Sequence, residues 1–186
     1  MRRFASRLPG LLRDRRGVAA MEFALILPIL VLFSAGTIEY SRLILLTQKL
    51  QSGAFILADL TARDRTLSED QLENIFLAID NIIQPFEFAA DGRAIVSSVG
   101  RDGSNLLRVN WQRTSVGDLT AASAIGTEGD SATLPADLDV AAGETVIAAE
   151  VFYSFTPLFG IGLEPRVIRK VSYFKPRLGT LDTLLP

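Results

Sequence analysis

Apolar residues dominate one early stretch of the chain and then thin out into periodic patterns. Residues 17–38 read GVAAMEFALILPILVLFSAGTI, with Glu22 as the only ionisable side chain. Twenty-two helical residues rise about 33 Å, close to the roughly 30 Å hydrocarbon core of a bilayer, so this stretch predicts a transmembrane helix. Residues 39–62 contain no proline and carry Leu43, Leu46, Leu50, Leu57 and Leu60 at spacings near 3.5 and 7. Span and extension therefore read as one long helix. Gly36 and Gly53 weaken it locally, and Pro28 deprives the Ala24 carbonyl of its helical donor, which predicts a kink there.

Beyond residue 62 the periodicity changes twice. Ser68 and Gln71 have the spacing of a capping box, and Leu72, Ile75, Phe76, Ile79, Ile82 and Ile83 follow at intervals of three and four before Pro85. They predict an amphipathic helix whose stripe packs on a sheet. Residues 93–99 and 106–114 flank a glycine-bearing loop of hairpin length, and residues 145–155 and 166–174 are rich in Val, Ile, Phe and Tyr. Two antiparallel pairs follow, and the fold class is α+β: a long N-terminal helix leading into one amphipathic helix and a four-strand antiparallel sheet. Residues 115–144, rich in Ala, Gly, Asp, Ser and Thr, read as a long surface loop.

Charge divides the 186-residue chain unevenly. Residues 1–17 hold six arginines against Asp14, a net of +5, whereas the remainder holds 13 basic and 20 acidic side chains, a net of −7. Arginines abutting an apolar span, with no interleaved aromatic platform, indicate membrane orientation and not nucleic-acid binding. The positive-inside rule leaves the N-terminus in the cytoplasm and exports the rest. Three regions result: a basic leader over 1–17, the anchor and its helical extension over 18–62, and an exported α+β domain over 63–186.

The chemistry available is narrow. The chain has no cysteine and no histidine, which removes disulfides, thiolate nucleophiles, the usual zinc ligands and the side chain best suited to proton transfer near neutral pH. Carboxylate-pair and Ser-Lys chemistries stay open, but an enzyme is disfavoured, and no cofactor is expected. Asp130, Asp137, Asp139 and Glu144 match no calcium-loop spacing and read as solvated, so no metal site is assigned. Trp111 and Phe159 are open to two readings, core packing or an adhesive surface.

Glu22 is the most informative residue, because a carboxylate in a membrane segment costs a few kcal/mol at mid-bilayer, about 3 on insertion scales. One reading is interfacial, since Glu22 lies only about 7.5 Å along the helix from Gly17. The other comes from its surroundings. Arg15-Arg16-Gly17 followed by Val18, Ala19, Ala20, Met21, Glu22 and Phe23 resembles the processing site of type IV pilin-like proteins. That resemblance implies cleavage between Gly17 and Val18 by a prepilin peptidase, with Glu22 fifth in the mature chain and able to pair with an N-terminal ammonium.

The wider stretch resembles the N-terminal signature of TadE/TadG-type proteins of the tight-adherence pilus system. The matching pieces are the RRG leader, AMEFAL, Pro28 within the apolar run, the Glu39-Tyr40 pair and QKLQ-x-GA. The resemblance implies a small TadE- or TadF-like minor pilin or pseudopilin of a bacterial inner membrane. It also implies Gly17 and Val18 as processing residues, Glu22, Phe23 and Pro28 as assembly residues, and membrane lipid, the peptidase, other pilins and the assembly machinery as partners. The alternative is a secreted or membrane-tethered enzyme or binding protein, with Ser34-Ala35-Gly36 as an ordinary signal-peptidase site.

Overall fold

The computed structural model describes residues 16–186 apart from Val116, so almost all of the basic leader lies outside the described residues. Helix α1, Arg16–Thr61, is unbroken over 46 residues and carries Pro28 inside it. At 1.5 Å per residue it is about 69 Å long, twice what a bilayer core requires. Its two halves differ in surroundings. Residues 17–34 are exposed throughout, whereas from Glu39 onward one stripe turns inward, burying Leu46, Leu50, Ala54, Leu57 and Ala58.

Helix α2, Glu69–Ile83, starts at the expected capping box: the Gln71 amide donates to Ser68 Oγ at 3.3 Å, and the Ser68 amide donates to Gln71 Oε1 at 2.9 Å. Leu72, Ile79 and Ile83 are buried, and Ile75 and Phe76 pack at the margin of the same core. A short helix α3, Phe88–Asp91, then delivers the chain into the sheet.

Strands β1 (Gly92–Arg101), β2 (Leu107–Thr114), β3 (Thr145–Phe155) and β4 (Arg166–Phe174) form one antiparallel sheet in the order β2-β1-β3-β4. The two expected pairs are joined through β1 and β3, with Gly92 opposite Tyr153 and Gly100 opposite Thr145. Alternation along the central strands gives the sheet two apolar faces. Ala94 and Val96 of β1, Trp111 of β2, and Ile147, Ala149, Val151, Tyr153 and Phe155 of β3 join α1 and α2 in the main core. Trp111 is therefore a core residue, and its Nε1 donates to the Leu181 carbonyl at 2.8 Å.

On the opposite face Val99, Val109 and Ala148 pack with Ile125. Ile125 belongs to the 115–144 segment, so this surface loop also packs against the sheet. It lies along β2, exchanging backbone hydrogen bonds at Val109 with Asp130 and Gly129, and at Leu107 with Ala132. Glu150, fully buried in β3, accepts from the Ala124 amide at 3.1 Å and from Ser123 Oγ, and pairs with Arg169 Nε at 2.6 Å. Three of the four acidic residues that raised the question of calcium have protein partners: Glu144 meets Lys175 Nζ at 2.6 Å, Asp139 meets Arg101 at 3.6 Å, and Asp130 accepts from Thr127 Oγ1 at 2.5 Å.

Candidate functional site

The residues singled out near the N-terminus share one exposed segment of α1. Val18 is 48% exposed and Phe23 58%, with Glu22 and Pro28 exposed beside them. A side chain built on Gly17 would meet nothing within 4 Å. Val18 and Glu22 are four residues apart and therefore stack on one helix face, about 6 Å apart along the axis. Among the described residues Glu22 has no salt-bridge or hydrogen-bond partner, and no fold contact explains a carboxylate there.

An apolar surface with no protein against it covers the same segment. Met21, Leu25, Ile26, Ile29, Leu30, Val31, Leu32 and Phe33 all stand exposed on a single helix. In water such a surface is far larger than a monomer's ordinary apolar patches, so it belongs in lipid or against other helices. Within the described residues one helix, Gly17–Thr61, is long and apolar enough to cross a membrane, in keeping with a single-pass anchor.

A second carboxylate sits where that apolar run ends. Glu39 is fully buried, and its two oxygens accept the Leu158 and Phe159 amides at 2.7 Å each. These amides belong to the β3–β4 connection, residues 156–165. Tyr40 Oη makes a longer, 3.5 Å contact to the Gly162 carbonyl, and a Cβ on Gly162 would come within 3.2 Å of that hydroxyl. Gly160 and Gly162 both take positive φ, 65° and 70°, which lets the connection fold back toward α1. One turn above Glu39, the Arg42 guanidinium lies 5.9 Å from the Phe86 ring centroid. The helix thus grips the sheet first through a charged clamp and then through a leucine stripe.

The Glu39 clamp was not assigned a role from sequence, although a signal for it exists. Glu39, Leu43, Leu46 and Leu50 follow one another at intervals of four, three and four, which places the carboxylate on the stripe that faces the core. Its acceptors' partners lie some 120 residues away and leave no trace in local patterning.

The arrangement brings together no catalytic constellation among the described residues, and no group of three or more Asp or Glu side chains that could hold a metal ion. A groove of mixed lining runs between α2, α3 and the end of β2, with Leu72, Phe76, Leu77 and Phe88 beside Glu73 and Arg113. Arg113 at its rim is held by Glu69 and Glu128, at 2.6 and 2.9 Å.

Residues 17–58 fit the family model described as TadE-like protein, which supports the resemblance to TadE/TadG-type proteins over α1. No curated protein and no solved structure matches the chain.

Proposed function

We propose that this chain is a membrane-anchored component of a bacterial tight-adherence pilus, a minor pilin or pseudopilin that acts in filament assembly or initiation and performs no catalysis. The observation that carries this reading is the coincidence of the TadE-like segment with the helix that is bare below Glu39 and built into the fold above it. The leader arginines hold residues 1–17 in the cytoplasm, and the sheet domain is exported to the periplasm.

The mechanism is assembly. A prepilin peptidase cuts after Gly17, whose surroundings on α1 are open. Val18 then carries a new ammonium at the start of the helix, where the helix dipole favours a nearby negative charge. Glu22, one turn on along the same face, pairs with the ammonium of its own chain or a neighbour, which offsets part of the cost of keeping a carboxylate in lipid. The bare apolar surface around Phe23 moves from lipid contacts to neighbouring helices, and Pro28 supplies a point of local unwinding. The unbroken run of α1 through Gly36 supports this route over a signal-peptidase cut at Ser34-Ala35-Gly36.

N-terminal sequencing of the membrane-derived protein tests the reading. A chain starting at Val18 is expected, and a start at Thr37 or Met1 overturns it. Glu22→Gln should still be inserted and cleaved, but its incorporation into pilus fractions should fall at matched membrane levels. The expected loss is about 1–3 kcal/mol, less the burial cost that disappears with the charge.

A further inference from the structure

The β3–β4 connection opens with an uncharged, mainly apolar run. Residues 156–163, TPLFGIGL, carry no charge and are followed at once by Glu164 and Arg166. Leu158 and Phe159 are 60% and 54% exposed, although their own amides are bound by the buried Glu39 carboxylate. The backbone of the loop is therefore fixed while its two largest side chains face outward. A loop that merely lacked packing would not be held through a fully buried carboxylate on a helix.

The height of that clamp on α1 is what identifies the loop's surroundings. From Val18 to Glu39 the helix rises about 31 Å, one hydrocarbon thickness. With residues 18–38 spanning the bilayer, Glu39 stands at its outer boundary, and the connection it holds lies in the plane of the headgroups beside the helix. Aromatic and large aliphatic side chains at that depth gain by entering the upper acyl region, while the flanking Glu164 and Arg166 stay in water.

We infer that residues 157–163 form a second membrane contact, a lipid-facing loop that inserts Leu158 and Phe159 into the outer leaflet next to the transmembrane helix. The partner is the phospholipid surface itself. Glu39 acts as the positioning residue: it sets the loop's depth without touching lipid. The consequence is orientational, because one helix alone leaves the domain free to rotate about and tilt from the membrane normal, and a second contact beside it fixes which face of the sheet looks along the membrane. This inference rests on α1 lying in a bilayer.

The absence of native cysteine allows single-site probes on the full chain. Phe159→Cys, Leu30→Cys and Ser104→Cys, each labelled with an environment-sensitive fluorophore, are reconstituted separately into phosphatidylcholine/phosphatidylglycerol vesicles. Leu30 reports mid-span, and Ser104, at the tip of the β1–β2 hairpin, reports the far end of the sheet. The Phe159 probe should emit at shorter wavelength than the Ser104 probe, resist aqueous iodide, and be quenched most by lipids spin-labelled near the headgroup. The Leu30 probe should respond most to lipids labelled deep in the acyl chain. A Phe159 probe that behaves like Ser104 while Leu30 is quenched overturns the loop contact and leaves the anchor standing. Protection of Phe159 in native membranes but not in vesicles also overturns it, in favour of a protein partner. A Leu30 probe that is not quenched removes the anchor and the inference with it. Leu158→Cys repeats the measurement should the Phe159 variant fail to fold.

Discussion

Replacing Glu39 by alanine should destabilise the fold more than replacing it by glutamine, and both effects should concentrate in the β3–β4 connection. The carboxylate is fully buried and accepts two amides at 2.7 Å, so two charge-assisted hydrogen bonds depend on it. Each such bond contributes about 1.5–3 kcal/mol, and removing the charge returns part of its desolvation cost. Glutamine keeps one acceptor oxygen but turns an NH2 toward the second amide, for a net loss of about 1–2 kcal/mol. Alanine leaves both amides without their acceptor, a loss of about 3–4 kcal/mol, moderated because water reaches a connection whose side chains are exposed. Hydrogen exchange on the full chain in micelles reads this directly. At 1.4 kcal/mol per factor of ten, amide exchange over residues 157–163 should quicken about 10-fold in Glu39→Gln and several hundredfold in Glu39→Ala. Strand β2, remote from the clamp, should keep its protection. Equal effects for the two variants, or less than about 0.5 kcal/mol for both, would refute the assignment of Glu39 as an acceptor that holds the loop.

Two further predictions concern the sheet domain. Glu150→Ala should cost about 2–4 kcal/mol by freeing the Ala124 amide and leaving Arg169 without its carboxylate, and limited proteolysis should then cut within 115–144 before any other segment; an unchanged cleavage pattern would show that the Glu150 contacts are not what pins the segment. Burial, reinforced by the Asp91 carboxylate, pushes the Tyr153 phenol up to about 12. A phenol that ionises at 10 in the unfolded chain but only near 12 in the fold favours unfolding as pH rises through that interval, so stability is full below pH 10 and declines toward 12. Absorbance titration at 295 nm should show this step missing in Tyr153→Phe, and an unchanged curve would refute it.

Local patterning revealed those elements whose residues all face one environment. Strands β3 and β4 are runs of Val, Ile, Phe and Tyr bounded by polar or proline-bearing connections, and their ends coincide with the expected ones. The α2 start is dictated by two side chains three residues apart, which is as local as a signal can be. Strand β1 runs longer than expected because Gly92 and Gly100 are carried by pairing with β3 and Arg101 by pairing with Leu107 of β2, which no alternation in β1 itself announces. The 115–144 segment is the surface loop its composition predicts, but its contact with the sheet is not legible there because it rests on Ile125 and on backbone bonds to β2. Of the site, Glu22 stood out because a charge in an apolar run is conspicuous. Glu39 did not, because a carboxylate at the end of such a run resembles an ordinary boundary residue until its distant amide partners are known.

The continuity of α1 has a mechanical consequence. The helix crosses from its bare half into the core without a linker, so an axial pull on the lower half enters the domain with no slack to absorb it. Such a load meets the Glu39 clamp first, then acts as shear along Leu46, Leu50, Ala54, Leu57 and Ala58, which must slide past the sheet together and cannot be peeled off one at a time. The 177–185 tail adds resistance at the far end, where the Arg177 amide donates to the Ala62 carbonyl and Leu185 to that of Leu67. A subunit built in this way bears tension through its packing instead of through a tether, and its weakest point under load is the helix below Glu39, around Pro28 and Gly36.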